Sequence, residues 1–254
     1  MLQTKQDEPK YLQPLPFPVL PLLDQENLEN IVNKISYGKA LSTDGVSDII
    51  FSKSNRKEVT KKLINLWSLG DEKNFEINLK HFETRIVPLN KKYPDIPSSK
   101  DCRPIAIQSP IIKLLECKLK PKLDAYLTQK LCPGQTGFIV GMGISVNQMR
   151  LVQRVVEITQ RKKHCYGLFV DFSAAYNIIL HSKLFERLQN VLAKDERDYL
   201  KALYSRTKVS LGKVSFCPNI GVAQGSTISP ALFNIYCDDL YITLNNAGVS
   251  TETY

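Results

Sequence analysis

The chain has 254 residues, 43% of them apolar, enough to bury a substantial core as two lobes of one folding unit. Its 34 basic residues outnumber 25 acidic ones for a net charge of +9, which favours a polyanionic partner, most simply nucleic acid, although a basic subunit of a charged assembly would carry the same charge. Six cysteines with no CxxC or Cys/His spacing argue against a zinc site or a disulfide framework and for a reducing, intracellular compartment, nucleus and mitochondrion not being distinguished.

Residues 1–22 (MLQTKQDEPKYLQPLPFPVLPL) carry acidic residues and five prolines. They lack the basic start and apolar block of a signal peptide and the Arg-rich character of a transit peptide. The expectation is an extended arm, with P-L-P-F-P suiting polyproline II on a partner surface, and a disordered leader as the alternative. No apolar run approaches the roughly 20 residues of a membrane span. Asp24 can cap a helix to about Tyr37, with Leu28, Ile31, Val32 and Ile35 on one face. Ser54 opens a second helix carrying Val59, Leu63 and Trp67. ETRIVPLNKK then reads as a strand leaving on Lys91 and Lys92, KYPDIPSSKD as a loop, and Arg103 to Ile107 as a short strand. A helix follows from about Ile111 to Lys130, kinked by Pro121. GQTGF is a turn, Ser145 to Lys162 is helical, and CYGLFVDF is a strand. Helices are expected near Ser182 to Val191 and Lys194 to Arg206, then the hairpin KVSLGKVSF and a last helix from about Ser226. Asn245 to Gly248 make a turn, and VSTETY begins another strand. Strands interspersed with long helices argue for an α+β fold.

Asp171 ends the apolar run Leu168-Phe169-Val170, which reads as a buried strand. A carboxylate there is costly unless a cation or hydrogen bonds receive it. Phosphoryl or nucleotidyl transfer supplies such a cation, since paired Mg²⁺ ions held by carboxylates clamp the attacking and leaving oxygens. A helix cap or a salt-bridged strand end would explain Asp171 equally by itself.

The ordered set of motifs goes further. DFSAAYNIILHSKL resembles motif A, and GVAQGSTISPALFNIY motif B, of reverse transcriptases of the non-LTR retrotransposon and group II intron type. Upstream, RIVPLNKK, CRPIAIQSPIIKLLECKL and LTQKLCPGQTGFIVGMG resemble their finger motifs in order, and GKALSTDGVSDIIF the segment preceding the fingers. The resemblance covers most of the chain. It implies a right-hand polymerase fold that, after the arm expected over residues 1–22, has fingers over 23–164 and a partial, ferredoxin-like palm over 165–254, without a thumb. It also implies Asp171 as the metal-binding aspartate, with Phe172 giving a backbone carbonyl beside it. Tyr176 matches the aromatic gate against a ribose 2′-OH, unless it is simply a core tyrosine. Gln224, Gly225 and Ser226 match the turn lining the nucleotide and template pocket. Arg103, with Lys91 or Lys92, matches the basic residues on the incoming triphosphate, where solvated surface charge is the plainer alternative. The family commonly has Lys at the position of Ala174, Asp at Asn177 and Arg-Pro at Ile139-Val140.

Members of the family also carry a Tyr-x-Asp-Asp hairpin. Tyr236-Cys237-Asp238-Asp239 fits that string. However, Ile228, Ala231, Leu232, Ile235 and Ile242 repeat at helical spacing around it, so it is expected to be the tail of the motif B helix, with Asp239 on the apolar face. The chain is therefore expected to stop before the second carboxylate pair. It would be inactive alone, with Mg²⁺ bound only where the missing motif is supplied, RNA or an RNA/DNA hybrid as partner, and a protein covering the palm edge near 245–254. A degenerate fold serving as a structural or RNA- or protein-binding subunit is the alternative.

Overall fold

The computed structural model describes residues 15, 29–30, 33, 41–47, 52, 57–61, 79–131, 133–139 and 141–252. The two expected N-terminal helices fall largely outside these residues, although 29–30, 33 and 57–61 are helical. Of the arm, only Leu15 is described. Its N–H donates to Ser205 Oγ at 3.0 Å and its carbonyl accepts from the Arg206 guanidinium, which seats it on its own chain.

Four strands make one sheet in the order β2-β1-β3-β4. β1 (Glu83–Asn90) and β2 (Cys102–Ile107) pair antiparallel, from Arg85 opposite Ile107 to Asn90 opposite Cys102. β3 (Lys208–Leu211) runs parallel to β1 on its other side, and β4 (Val214–Phe216) closes the expected hairpin against β3. The sheet thus draws strands from both sides of residue 165.

The helices are α1 (Pro110–Cys117), α2 (Lys120–Gln129), α3 (Ile144–Gln160), α4 (His181–Arg187), α5 (Lys194–Arg206) and α6 (Ser229–Asn246). Ser109 caps α1 by accepting from the Ile111 N–H at 3.2 Å, with Pro110 in the first turn where its missing N–H costs nothing. The expected single helix with a kink is two helices. Pro121 has no N–H for the Cys117 carbonyl, so α1 ends there and Pro121 sits in the first turn of α2. Leu119, Leu123, Leu184, Leu188, Leu200 and Leu232 are wholly or almost wholly buried in one core, which binds α2, α4, α5 and α6 together. Before the sheet, Asp44 accepts from the Val46 N–H at 3.0 Å and pairs with His81 Nδ1 at 2.6 Å, fixing segment 41–47 to the 3₁₀ turn Leu79–Phe82.

Two expected strands do not form. Residues 165–172 carry no ladder, and Tyr166, Leu168 and Phe169 are 93%, 89% and 87% exposed. The pattern is apolar enough for a strand, but a strand needs a neighbour for its N–H and C=O groups, and no described strand lies beside it. Residues 249–252 likewise form no strand. They lie against the turn at Gly134, where an added Cβ would come within 2.1 Å of the Thr251 carbonyl oxygen. Among the described residues no helix is long and apolar enough to cross a membrane.

Candidate functional site

Three segments distant in sequence converge at the start of α6. The first is the turn after Asp171. Ala174 takes a left-handed φ of 56° to begin a 3₁₀ turn over Ala175–Ile178, and the Asn177 N–H closes it on the Ala174 carbonyl at 2.8 Å. This turn delivers Tyr176 against α6, its ring centroid 5.4 Å from Phe233. Phe172 meets the same ring edge-on at 6.4 Å. Burial raises the Tyr176 phenol above the ordinary tyrosine range.

The second segment is 220–226. The Val222 N–H donates to the Tyr176 carbonyl at 2.8 Å and the Gly221 N–H to the Ile179 carbonyl at 2.7 Å. A side chain at Gly221, with φ at 82°, would meet the Asn177 and Tyr176 backbone at 3.0–3.1 Å. Buried His181 seals the join, its Nε2 2.8 Å from the Gly221 carbonyl and its ring 4.8 Å from that of Tyr204. Ser226 Oγ then accepts from the Ile228 and Ser229 N–H groups at 3.2 and 3.3 Å, satisfying two donors at the entry to α6.

The third is β2. The Ala106 N–H donates to the Gln224 carbonyl at 2.7 Å. Gly225, at φ 136°, lies so close that a Cβ would fall 2.2 Å from the Ala106 carbonyl oxygen. Glu116 of α1 completes the union, accepting from Ser226 Oγ at 2.9 Å, the Thr227 N–H at 3.0 Å and Gln108 Nε2 at 3.1 Å. Burial raises Glu116 to about 6, against the hydrogen bonds from Ser226, Gln108 and Thr227 and the nearby Lys113 charge. Arg103 is exposed on β2 opposite Leu89, with exposed Lys91 and Lys92 just beyond the end of β1. Lys92 Nζ is engaged by Asp101 at 2.8 Å, which holds that carboxyl at about 2. Lys91 is exposed beside Lys92, and its side chain is not part of that ion pair.

Asp171 is exposed rather than buried. Among the described residues no group of three or more His, Cys, Asp or Glu side chains could hold a metal ion. Asp171 and the Phe172 carbonyl are thus a partial donor set that does not by itself fit a two-ion site. Tyr236-Cys237-Asp238-Asp239 lies inside α6. The helix turns Asp238, not Asp239, onto its buried stripe with Ala231, Asn234 and Ile235, while half-exposed Asp239 pairs with Arg187.

Sequence reasoning missed Glu116, His181, Phe233 and Asn234. Buried Asn234 accepts from Gln135 Nε2 at 2.6 Å and donates to the Gly137 carbonyl at 2.7 Å, anchoring the GQTGF turn on α6. Glu116 carried a signal, being an acid set among Leu114, Leu115 and Cys117; the others look like ordinary helix residues.

Residues 89–254 match the family model described as reverse transcriptase (RNA-dependent DNA polymerase). The chain is similar to the retrovirus-related Pol polyprotein from type-2 retrotransposable element R2DM of Drosophila melanogaster, 30% identical over 155 residues, which are 57% of this chain and 14% of that protein. It is 28% identical over 170 residues to the Pol polyprotein from type-1 retrotransposable element R2 of Popillia japonica, covering 64% of this chain and 23% of the relative. A probable RNA-directed DNA polymerase from transposon BS of Drosophila melanogaster is 25% identical over 162 residues, 61% of this chain and 18% of its own length. The chain spans less than a quarter of the length of each of these relatives.

Proposed function

The chain belongs to the reverse transcriptase (RNA-dependent DNA polymerase) family, and we propose that it forms the fingers and the first-carboxylate part of the palm in an RNA-directed DNA polymerase site. The observation that carries this reading is the convergence of β2, the 172–176 turn and the 224–226 turn through the Ala106–Gln224 and Tyr176–Val222 backbone bonds. Asp171, with the Phe172 carbonyl, would form one wall of a Mg²⁺ site. Tyr176 would pack under the sugar, Gln224 to Ser226 would line the nucleotide and template pocket, and Arg103 with Lys91 would meet the triphosphate. The facing carboxylates would come from outside these 254 residues, because the Tyr-x-Asp-Asp string within them is helical. RNA or an RNA/DNA hybrid is the proposed polyanion, in keeping with the net charge of +9.

The test is deoxynucleotide incorporation on an RNA template with Mg²⁺, using the chain joined to or mixed with the polypeptide that supplies the second carboxylate pair. Asp171→Ala should abolish incorporation, and undiminished incorporation would remove the reading. A second reading is favoured by the apolar exposure of 166–170 and by Ala174 and Asn177 standing where the family carries Lys and Asp. In it the chain is a structural or RNA-binding subunit, and a protein covers this segment and residues 245–252 without bringing carboxylates to Asp171. A structure of the assembled particle separates the two.

A further inference from the structure

Phe138 has a φ of 58°, the left-handed region that a bulky side chain enters only under strain. Burial of its ring does not offset that strain, because Phe138 is 59% exposed. The loop on either side is held fast. Gln135, Thr136 and Ile139 are buried, and the Asn234 amide grips Gln135 at 2.6 Å and the Gly137 carbonyl at 2.7 Å. The strained backbone is therefore over-determined by its surroundings, the condition under which such strain persists at working sites. Asn234 is also next to Phe233, whose ring carries Tyr176 and Phe172. One turn of α6 thus fixes both the aromatic cluster of the candidate site and the loop that presents Phe138.

We propose that Phe138 is a stacking platform for one nucleobase of the polynucleotide bound at this site. The inference rests on the reading of the chain as a polynucleotide-binding reverse transcriptase domain. A single ring held clear of a rigid loop offers its face to a base of any identity, which is how sequence-tolerant single-strand contacts are made.

The test uses the full chain, with anisotropy titrations of a fluorescent RNA template annealed to a DNA primer and a series carrying one abasic nucleotide at each position in turn. Phe138→Ala should weaken binding roughly 5- to 140-fold, the range for loss of one base–aromatic stack. Phe138→Trp should bind as the wild type does. The alanine loss should vanish on the substrate whose stacked base is absent. Phe138→Gly, which relieves the left-handed backbone, should match or exceed the wild-type melting temperature while losing affinity as alanine does. An alanine variant that binds like the wild type, or that loses affinity equally on every abasic substrate, overturns the proposal. A wild-type chain that fails to bind the hybrid at all sinks instead the proposed polynucleotide-binding function on which this inference rests.

Discussion

The buried carboxylate at the centre of the site makes a test that needs no catalysis. Burial raises Glu116 from its ordinary 4.5 to about 6, so the folded chain binds this proton more tightly than the unfolded one. The unfolded state then holds fewer protons between those values, and stability falls as pH rises through the window. The difference corresponds to about 2 kcal/mol, absent below pH 4.5 and complete above pH 6. Glu116→Gln removes the charge and keeps the shape. Its carbonyl can take the Ser226 and Thr227 donors, and its NH₂ can donate to Gln108 once that amide flips. The flip is cheap, because Gln108 Oε1 is buried without a partner already, and after it the amide nitrogen takes that place. In urea melts E116Q should therefore match the wild type at pH 4.5 and exceed it by about 2 kcal/mol at pH 7.5. Glu116→Ala should instead cost about 3 kcal/mol at pH 7.5, leaving the Ser226 hydroxyl, the Thr227 N–H and the Gln108 amide unpaired beside a cavity. A difference between E116Q and wild type that does not change with pH, or an E116Q as unstable as E116A, would refute the reasoning.

Gly225→Ala should unseat the 224–226 turn from β2, since its Cβ would lie 2.2 Å from a backbone oxygen; a thermal melt should show a loss of at least about 2 kcal/mol. Ala174→Gly should gain roughly 0.5 to 1 kcal/mol in the same assay, by accepting the φ of 56° without a Cβ. Binding of the chain to RNA should weaken steeply between 50 and 200 mM salt, with a linear log–log slope; a flat response would point to a protein rather than a polyanion as the ligand of the basic surface.

What the sequence made legible was local. The helix expected over Lys194 to Arg206 is α5, the expected hairpin KVSLGKVSF is β3 and β4, and the strands expected in ETRIVPLNKK and over Arg103 to Ile107 pair as β1 and β2. What it hid was pairing at a distance. Nothing near Glu83 announces its parallel register with Lys208, and nothing near Glu116 names Ser226 as its donor. The 165–172 segment shows the same limit from the other side. Its residues have the composition of a core strand, but strand formation depends on a neighbour that composition cannot supply.

That segment and the helix before it lack cover together. α3 buries only Asn147 among its residues, and Met149, Val152 and Val156 leave an apolar stripe in water at helical spacing. Tyr166, Leu168 and Phe169, a few residues past the end of α3, are barer still. So much exposed apolar area is costly for an isolated chain and ordinary for a chain with a neighbour on it. If the neighbour supplies a strand, amides of 165–172 should exchange with solvent almost as fast as an unfolded peptide in the chain alone, because they have no ladder. They should become protected when the polypeptide carrying the second carboxylate pair is added. Amides of β1 in its ladders, with β3 over Glu83 to Arg85 and with β2 from Arg85 to Asn90, should be slow in both states and report that the fold is intact. Protection of 165–172 already present in the isolated chain, or none gained on completion, would show that this segment is not the unpaired edge of the site.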